Sequence, residues 1–256
     1  MNEVLLQVDA NVATLTFNQP ERLNTISIPF ITTLQNKLNE IKANKAIQIV
    51  VMRAEGRHYS AGGDLHMIGS LKTHEDYLHM MGLLKTFMLD YHDLDAITLC
   101  QFNGTASGLG ASFVLMNDLI VAEPQSRLIF NFAGMALNAD GALNYFLKER
   151  FGSVLTKKLL MSNAVLDADT LLKKGVVESV NEDLNAAVAD LVAQLQHTPL
   201  QAHRHSKRIQ HALCRAELEA TLDLETEYQW QSINTADHKE GIRAFFAKEA
   251  PVFKGL

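Results

Sequence analysis

Hydrophobic and polar positions alternate over residues 3–8 and again over 12–17, either side of Asp9, Ala10 and Asn11. This period of two predicts a β-hairpin. After a polar loop at 18–24, Ser27 reads as a helix N-cap with Pro29 in the first turn. Phe30, Ile31, Leu34, Leu38 and Ile41 keep one face of that helix apolar to about Ala43. Short apolar runs at 47–52, 96–102 and 119–122 do not alternate, as expected of parallel strands covered on both faces, and 127–130 reads as another strand. Residues 65–93, rich in Met, His and Leu, are expected to be helical, as are 143–150 and 153–162. A late strand at 176–180 precedes an amphipathic helix at 184–196. Beyond Pro199 the chain reads as helices at 200–213, 215–234 and 237–248. Strands and helices alternate first and helices alone follow, which predicts an α/β core over 1–195 and a helical region over 196–256.

Two glycine-bearing turns interrupt this pattern. Residues 57–65, Arg-His-Tyr-Ser-Ala-Gly-Gly-Asp-Leu, follow the apolar run at 47–52. Residues 101–118 follow the run at 96–102, carry Gly104, Gly108 and Gly110, and lead into a helix-like run at 111–116. Glycine admits positive φ and close approach to the main chain, and the first amides of a helix have no partner inside it. Such turns either simply reverse the chain or present N–H groups to an anionic oxygen.

The bulk numbers narrow the class. The chain of 256 residues is long enough for a substantial core. A net charge of −6 disfavours a general nucleic-acid binder, which needs a basic face. Two distant cysteines, Cys100 and Cys214, suggest a reducing compartment rather than a disulfide framework. The first residues lack a basic region followed by an apolar core, and no apolar run reaches the roughly 18 residues of a membrane span. The expectation is a cytoplasmic protein with neither membrane nor nucleic-acid partner.

Ser60-Ala-Gly-Gly-Asp-Leu65 and Asn103-Gly-Thr-Ala-Ser-Gly-Leu-Gly-Ala-Ser112 resemble the two oxyanion segments of the crotonase (enoyl-CoA hydratase/isomerase) superfamily. Asn18-Gln-Pro-Glu-Arg-Leu-Asn24, Gly175-Val-Val177, Glu240-Gly-Ile-Arg-Ala-Phe245, Lys248 and Pro251-Val-Phe253 extend the likeness nearly end to end in the same order. The resemblance implies a ClpP/crotonase-like spiral of ββα turns, with C-terminal helices that assemble a homotrimer or a dimer of trimers. It implies an acyl-CoA or acyl-carrier thioester as substrate, with coenzyme A entering as part of that substrate and no prosthetic group. By position, the oxyanion donors are the main-chain N–H groups of Gly63 and Leu109. Contacts to coenzyme A fall on Arg22, Leu23 and Thr25 and on the loop residues Ser60, Ala61, Gly62, Asp64, Leu65 and Gly108. Lys248 and Phe253 complete the site from this subunit or a neighbour. Arg22 reads equally as a solvated loop charge, and Asp64 as a structural loop residue.

The sequence departs from hydratase relatives at the acid and base. Their two glutamates correspond here to Ser112 and Phe132, neither of which does a carboxylate's work. One carboxylate remains at a place the family uses: Asp140, in Leu137-Asn-Ala-Asp-Gly-Ala142, matches the segment whose acid shuttles the proton in some enoyl-CoA isomerases. Either Asp140 is that base, its pKa raised by apolar neighbours, or it caps the helix starting near Leu143. The expected reaction is a double-bond shift between C3 and C2. Other crotonase reactions (hydratase, hydrolase, decarboxylase) are the alternative, and a non-catalytic thioester-binding protein is the reading from another class. His203, His205 and His211 have no i, i+4 pairing on one helical face, so no metal site is expected. His58, His66, His74 and His79 are either solvated or packed residues or contacts of a lid, and the Met and Leu residues at 78–89 are either core or acyl pocket.

Overall fold

The alternation at the start of the chain becomes a hairpin, β1 (Val4–Asp9) against β2 (Val12–Phe17), antiparallel with Val4 opposite Phe17. The structure is a computed structural model that describes residues 3–70 and 73–255. Residues 71 and 72 of the stretch expected to be helical, with Met1, Asn2 and Leu256, lie outside the described residues. The strands β3 (Ile49–Ala54), β4 (Ile97–Phe102), β6 (Leu119–Ala122) and β9 (Ser179–Val180) extend the sheet in parallel. Among the described residues its order is β1-β2-β3-β4-β6-β9. The crossovers are α1 (Ile28–Ala43) and then α2 (Leu65–Ser70) with α3 (His74–His92). Ser27 caps α1 as expected, its Oγ accepting the Phe30 N–H.

The non-alternating runs are explained by cover on both faces. Val50, Met52 and Cys100 join the main core with α1 and α3, where Phe17 meets Phe30 and Phe113 edge-on and Phe87 stacks on Phe113. Ile49, Val51, Ile97, Leu99 and Val121 face the other way, onto α7 (Leu184–Gln196).

Several expectations are corrected. Residues 105–107, read as glycine turn, form β5 (Thr105–Ser107), which pairs with β7 (Arg127–Ile129) and then β8 (Val165–Asp167) in a second small sheet. Only β7 was expected, from the apolar run at 127–130; three residues at β5 inside a glycine turn are too few for periodicity to register. Neither β8 nor α6 (Ala168–Lys173) was anticipated. Of 176–180 only β9 is strand, because the Val176 N–H turns back to the Leu171 carbonyl at the end of α6. The helical run at 111–116 is α4 (Leu109–Leu115). The interruption expected near 151 is a kink in α5 (Leu143–Met161), where Gly152 takes φ 73°. The two helices expected across 200–234 are one, α8 (Leu200–Ile233), since no glycine or proline lies between those ends. α9 (Ala236–Ala247) follows.

α8 is pinned to the core along its length. Lys207, 9% exposed, donates to the Ala96 carbonyl at 2.8 Å and to Asp118 Oδ2 at 2.7 Å. Farther along, Leu218 and Leu222 are buried, and the Tyr77 hydroxyl donates to the Thr226 carbonyl at 2.7 Å. Removing one partner of such an ion pair leaves an uncompensated charge. Lys207→Met is therefore expected to lower stability by about 2–3 kcal/mol in urea denaturation, less than for a fully buried pair because Asp118 stays partly solvated. Asp118→Asn added to it should recover part of the loss.

Candidate active site

The two glycine turns are stitched into one structure. The Ser60 N–H donates to the Thr105 carbonyl at 3.2 Å and the Ser107 N–H to the Ser60 carbonyl at 2.9 Å. From the other side, the Ile26 N–H donates to the Gly62 carbonyl at 2.8 Å and the Ala61 N–H to the Leu23 carbonyl at 2.9 Å. Two glycines make this contact possible. At Gly62, with φ 93°, a Cβ would stand 2.5 Å from the Ser107 carbonyl oxygen; at Gly110 it would stand 2.8 Å from that of Ser60. Among the described residues, the N–H groups of Gly63 and of Leu109, the first residue of α4, have no hydrogen-bond acceptor. Both residues line one cavity of about 100 Å³, together with Phe132, Asp140 and Gln229. A narrower apolar space of about 40 Å³ shares Gly63, Leu109 and Asp140 and continues between Ile28, Met67 and Met81. Two unspent amides and one carboxyl thus sit where the two spaces meet.

Asp140 does not cap α5. The N-cap position is Ala142, at φ 61°, and no side chain of its own caps the helix. The Ala142 N–H donates instead to Glu225 Oε2 at 2.6 Å, and the Asn144 N–H and Nδ2 donate to Glu225 Oε1 at 3.1 and 2.8 Å. Asp140 Oδ2 accepts from Gln229 Nε2 at 3.3 Å, while its Oδ1 and Gln229 Oε1 are shut off from solvent without a partner. Burial pushes the Asp140 carboxyl up to about 7, against the opposing Gln229 hydrogen bond. Glu225 is pushed up to about 8, again by burial first, with the bonds from Asn144 opposing and the Asp140 charge adding to the rise. Ser112 is fully buried and its Oγ donates to the Asp140 main-chain carbonyl at 3.1 Å.

Of the other residues singled out in the sequence, Ala61, Gly62, Leu65 and Gly108 border the cavity. Ser60 lies beneath the loop, its Oγ donating to the Asn24 carbonyl and accepting the Gly62 N–H. Asp64 ties the loop together: Oδ2 pairs with Arg22 at 2.9 Å, and Oδ1 accepts the His66 and Met67 N–H groups of α2. Arg22, Leu23 and Thr25 abut the first loop but do not line the cavity, nor do Lys248, which ends α9 at φ 56°, and Phe253. The α9 side chain on the wall is Phe245. His66 packs on Phe246 and His74 on Trp230. His211 stacks on His92, with ring centroids 3.9 Å apart, instead of facing His203 or His205.

Sequence reasoning missed Gln229 and Glu225. Their signal was present: Leu218, Leu222, Glu225 and Gln229 follow one another at four, three and four residues, so the two polar groups continue a buried stripe of α8.

Residues 7–256 match the family model described as enoyl-CoA hydratase/isomerase. The chain belongs to the enoyl-CoA hydratase/isomerase family. YhaR of Bacillus subtilis (strain 168), whose name places it among enoyl-CoA hydratases/isomerases, is 31% identical over 244 residues, covering 95% of each chain. The trans-2-decenoyl-[acyl-carrier-protein] isomerase of Streptococcus mutans serotype c (strain ATCC 700610 / UA159) is 27% identical over 258 residues, covering 99% of this chain and 98% of that one. The crystal structure of an enoyl-CoA hydratase from Mycobacterium avium subsp. paratuberculosis K-10 superposes with a TM-score of 0.88 at 21% identity, over 98% of both chains, and shares the crotonase fold. Among the described residues no helix is long and apolar enough to cross a membrane.

The close approach of the two loops is testable. Gly110→Ala places a methyl against the Ser60 main chain, so the loops must part. With KM little changed, kcat on an enoyl thioester is expected to fall about 100-fold, the scale of a misplacement near 1 Å. Steady-state kinetics check this.

Proposed function

We propose that this family member is an acyl-thioester isomerase, moving a C=C bond between C3 and C2 with one acid–base group, Asp140. The observation that carries the reading is the Asp140 carboxyl, only partly hydrogen-bonded, bordering the same cavity as the two unspent amides. In the proposed reaction the thioester oxygen lies between the N–H groups of Gly63 and Leu109. Asp140 removes a proton from C2, negative charge moves onto that oxygen, and the amides stabilise it more in the transition state than in the ground state. The protonated carboxyl then returns its proton at C4. A carboxyl near pKa 7 is balanced between both tasks at neutral pH. The acyl chain would run on into the apolar space toward Met67 and Met81, and the thioester carrier would lie toward Arg22, Leu23, Thr25, Ser60, Ala61 and Leu65. Lys248 and Phe253 belong to this proposal as contacts made on binding or across a homotrimer.

Hydration needs a second acid–base group next to the substrate. Ser112 is spent on a main-chain carbonyl, Phe132 has no proton to give, and Glu225 is spent on α5 and lines neither space. The name of the Streptococcus mutans relative, an isomerase of a trans-2-decenoyl thioester, further supports the isomerase reading.

The test is the absorbance of a conjugated enoyl thioester with 3-enoyl-CoA and then 2-enoyl-CoA as substrate. Conjugation is expected to rise with the 3-enoyl substrate, and Asp140→Asn to lower kcat by about 1,000-fold while coenzyme A still binds. Consumption of the 2-enoyl signal with no isomerisation would contradict the proposal.

The pH dependence has a definite sign. The base acts ionised, so kcat should rise with pH through about 7 and then level off. Stability runs the other way. The folded-state pKa lies above the unfolded value, so the contribution of Asp140 is fully present below the unfolded pKa and is lost as pH rises through about 7. Asp140→Asn should therefore gain in thermal stability relative to wild type as pH is raised from 4 to 8.

A further inference from the structure

Besides the Leu143 N–H and the Ser112 hydroxyl, which donate to the Asp140 carbonyl, side chains of α8 hold the turn that carries Asp140. Asn138 Nδ2 donates to the Glu225 main-chain carbonyl at 3.3 Å, and Asn138 Oδ1 accepts from Ser232 Oγ at 3.2 Å. Glu225 takes the Ala142 and Asn144 amides, and Gln229, one helical turn on, reaches Asp140 Oδ2. Left to local preference, the arrangement would differ. An Asp side chain readily accepts the N–H two residues ahead, and Asp is a favoured helix N-cap. For Asp140 the N–H two residues ahead is that of Ala142, which Glu225 holds at 2.6 Å.

We infer that Glu225 is a positioning residue: by capping α5 from α8 it occupies the amides that Asp140 would otherwise cap, and so leaves the Asp140 carboxyl facing the cavity. The inference deepens the reading of Asp140 as base and rests on it. Glu225 borders neither space at the site, so it acts through Asp140 and not on the substrate. Both oxygens of its carboxyl hold donors, three in all, whereas Asp140 Oδ1 has none. When Glu225 is removed, Asp140 turns onto the Ala142 amide and becomes the cap.

The test compares Glu225→Ala, Glu225→Asp and Glu225→Gln with Asp140→Asn in the isomerase assay. Glu225→Ala is expected to lower kcat about 100-fold with KM changed less than about threefold, because the base is turned away while the binding walls stay in place. Glu225→Gln retains an acceptor at the same reach and should return kcat to within about tenfold of wild type. Glu225→Asp falls short of the amides by a methylene and should behave like Glu225→Ala, which keeps the test available if the alanine variant does not fold. A second readout needs no activity. Asp140→Ala should leave the melting temperature unchanged or raise it in the wild-type background, and lower it in the Glu225→Ala or Glu225→Asp background, where Asp140 has become the cap. Wild-type kcat in Glu225→Asp, equal loss in Glu225→Gln and Glu225→Ala, or a melting shift of the same sign in both backgrounds would overturn the inference. Full activity of Asp140→Asn would instead overturn the assignment of Asp140 as base.

Discussion

A carboxyl group withdrawn from water and only half hydrogen-bonded is the costly element on which this structure turns. An ionised acid in an apolar setting is disfavoured by its lost hydration, so it either shifts its pKa or finds donors. Asp140 finds one donor, Gln229 Nε2, and its carboxyl rises to about 7. Donors that would lower it, the Ala142 and Asn144 amides at the start of α5, are taken by Glu225. The Asp140 setting therefore depends on α8, and α8 depends on its anchors to the core, the Lys207 ion pair near one end and the buried Leu218 and Leu222 farther along.

The two glycine turns at the cavity depend on backbone proximity instead of side-chain chemistry. Gly62 and Gly110 let two turns from different crossovers approach until their main chains exchange hydrogen bonds, and that approach leaves the Gly63 and Leu109 N–H groups unspent toward one space. Amides fixed in this way need no reorganisation when charge develops near them, which is why such arrays are effective at stabilising oxyanions. The proposed enolate chemistry on a thioester would draw on both, the fixed donors and the carboxyl of raised pKa. They sit within the crotonase fold, in a chain that belongs to the enoyl-CoA hydratase/isomerase family.

How far the sequence disclosed this differs by element. The hairpin, α1 and the buried strands were legible because each carries a hydrophobic period or a run long enough to have only one reading. Of the second sheet only β7 was legible, as the run at 127–130; β5 and β8, of three residues each, were not, and they owe their pairing to distant partners. The glycine turns were legible as close approaches, although which chain atoms they approach emerges only in three dimensions. For Asp140, local sequence admitted both base and cap. A residue 85 positions later, Glu225, takes the cap amides, and nothing local to Asp140 announces it. The polar pair on α8 is marked as buried only by its register with Leu218 and Leu222.

The central claim is that a single sheltered carboxyl both removes and returns the proton. A 3-enoyl thioester deuterated at C2, converted in ordinary water and analysed by NMR at C4 of the product, tests it most directly. One shuttle, its Oδ1 closed to solvent, predicts that a substantial share of the deuterium reappears at C4. Product carrying only solvent hydrogen at C4, formed at the wild-type rate, would contradict the account.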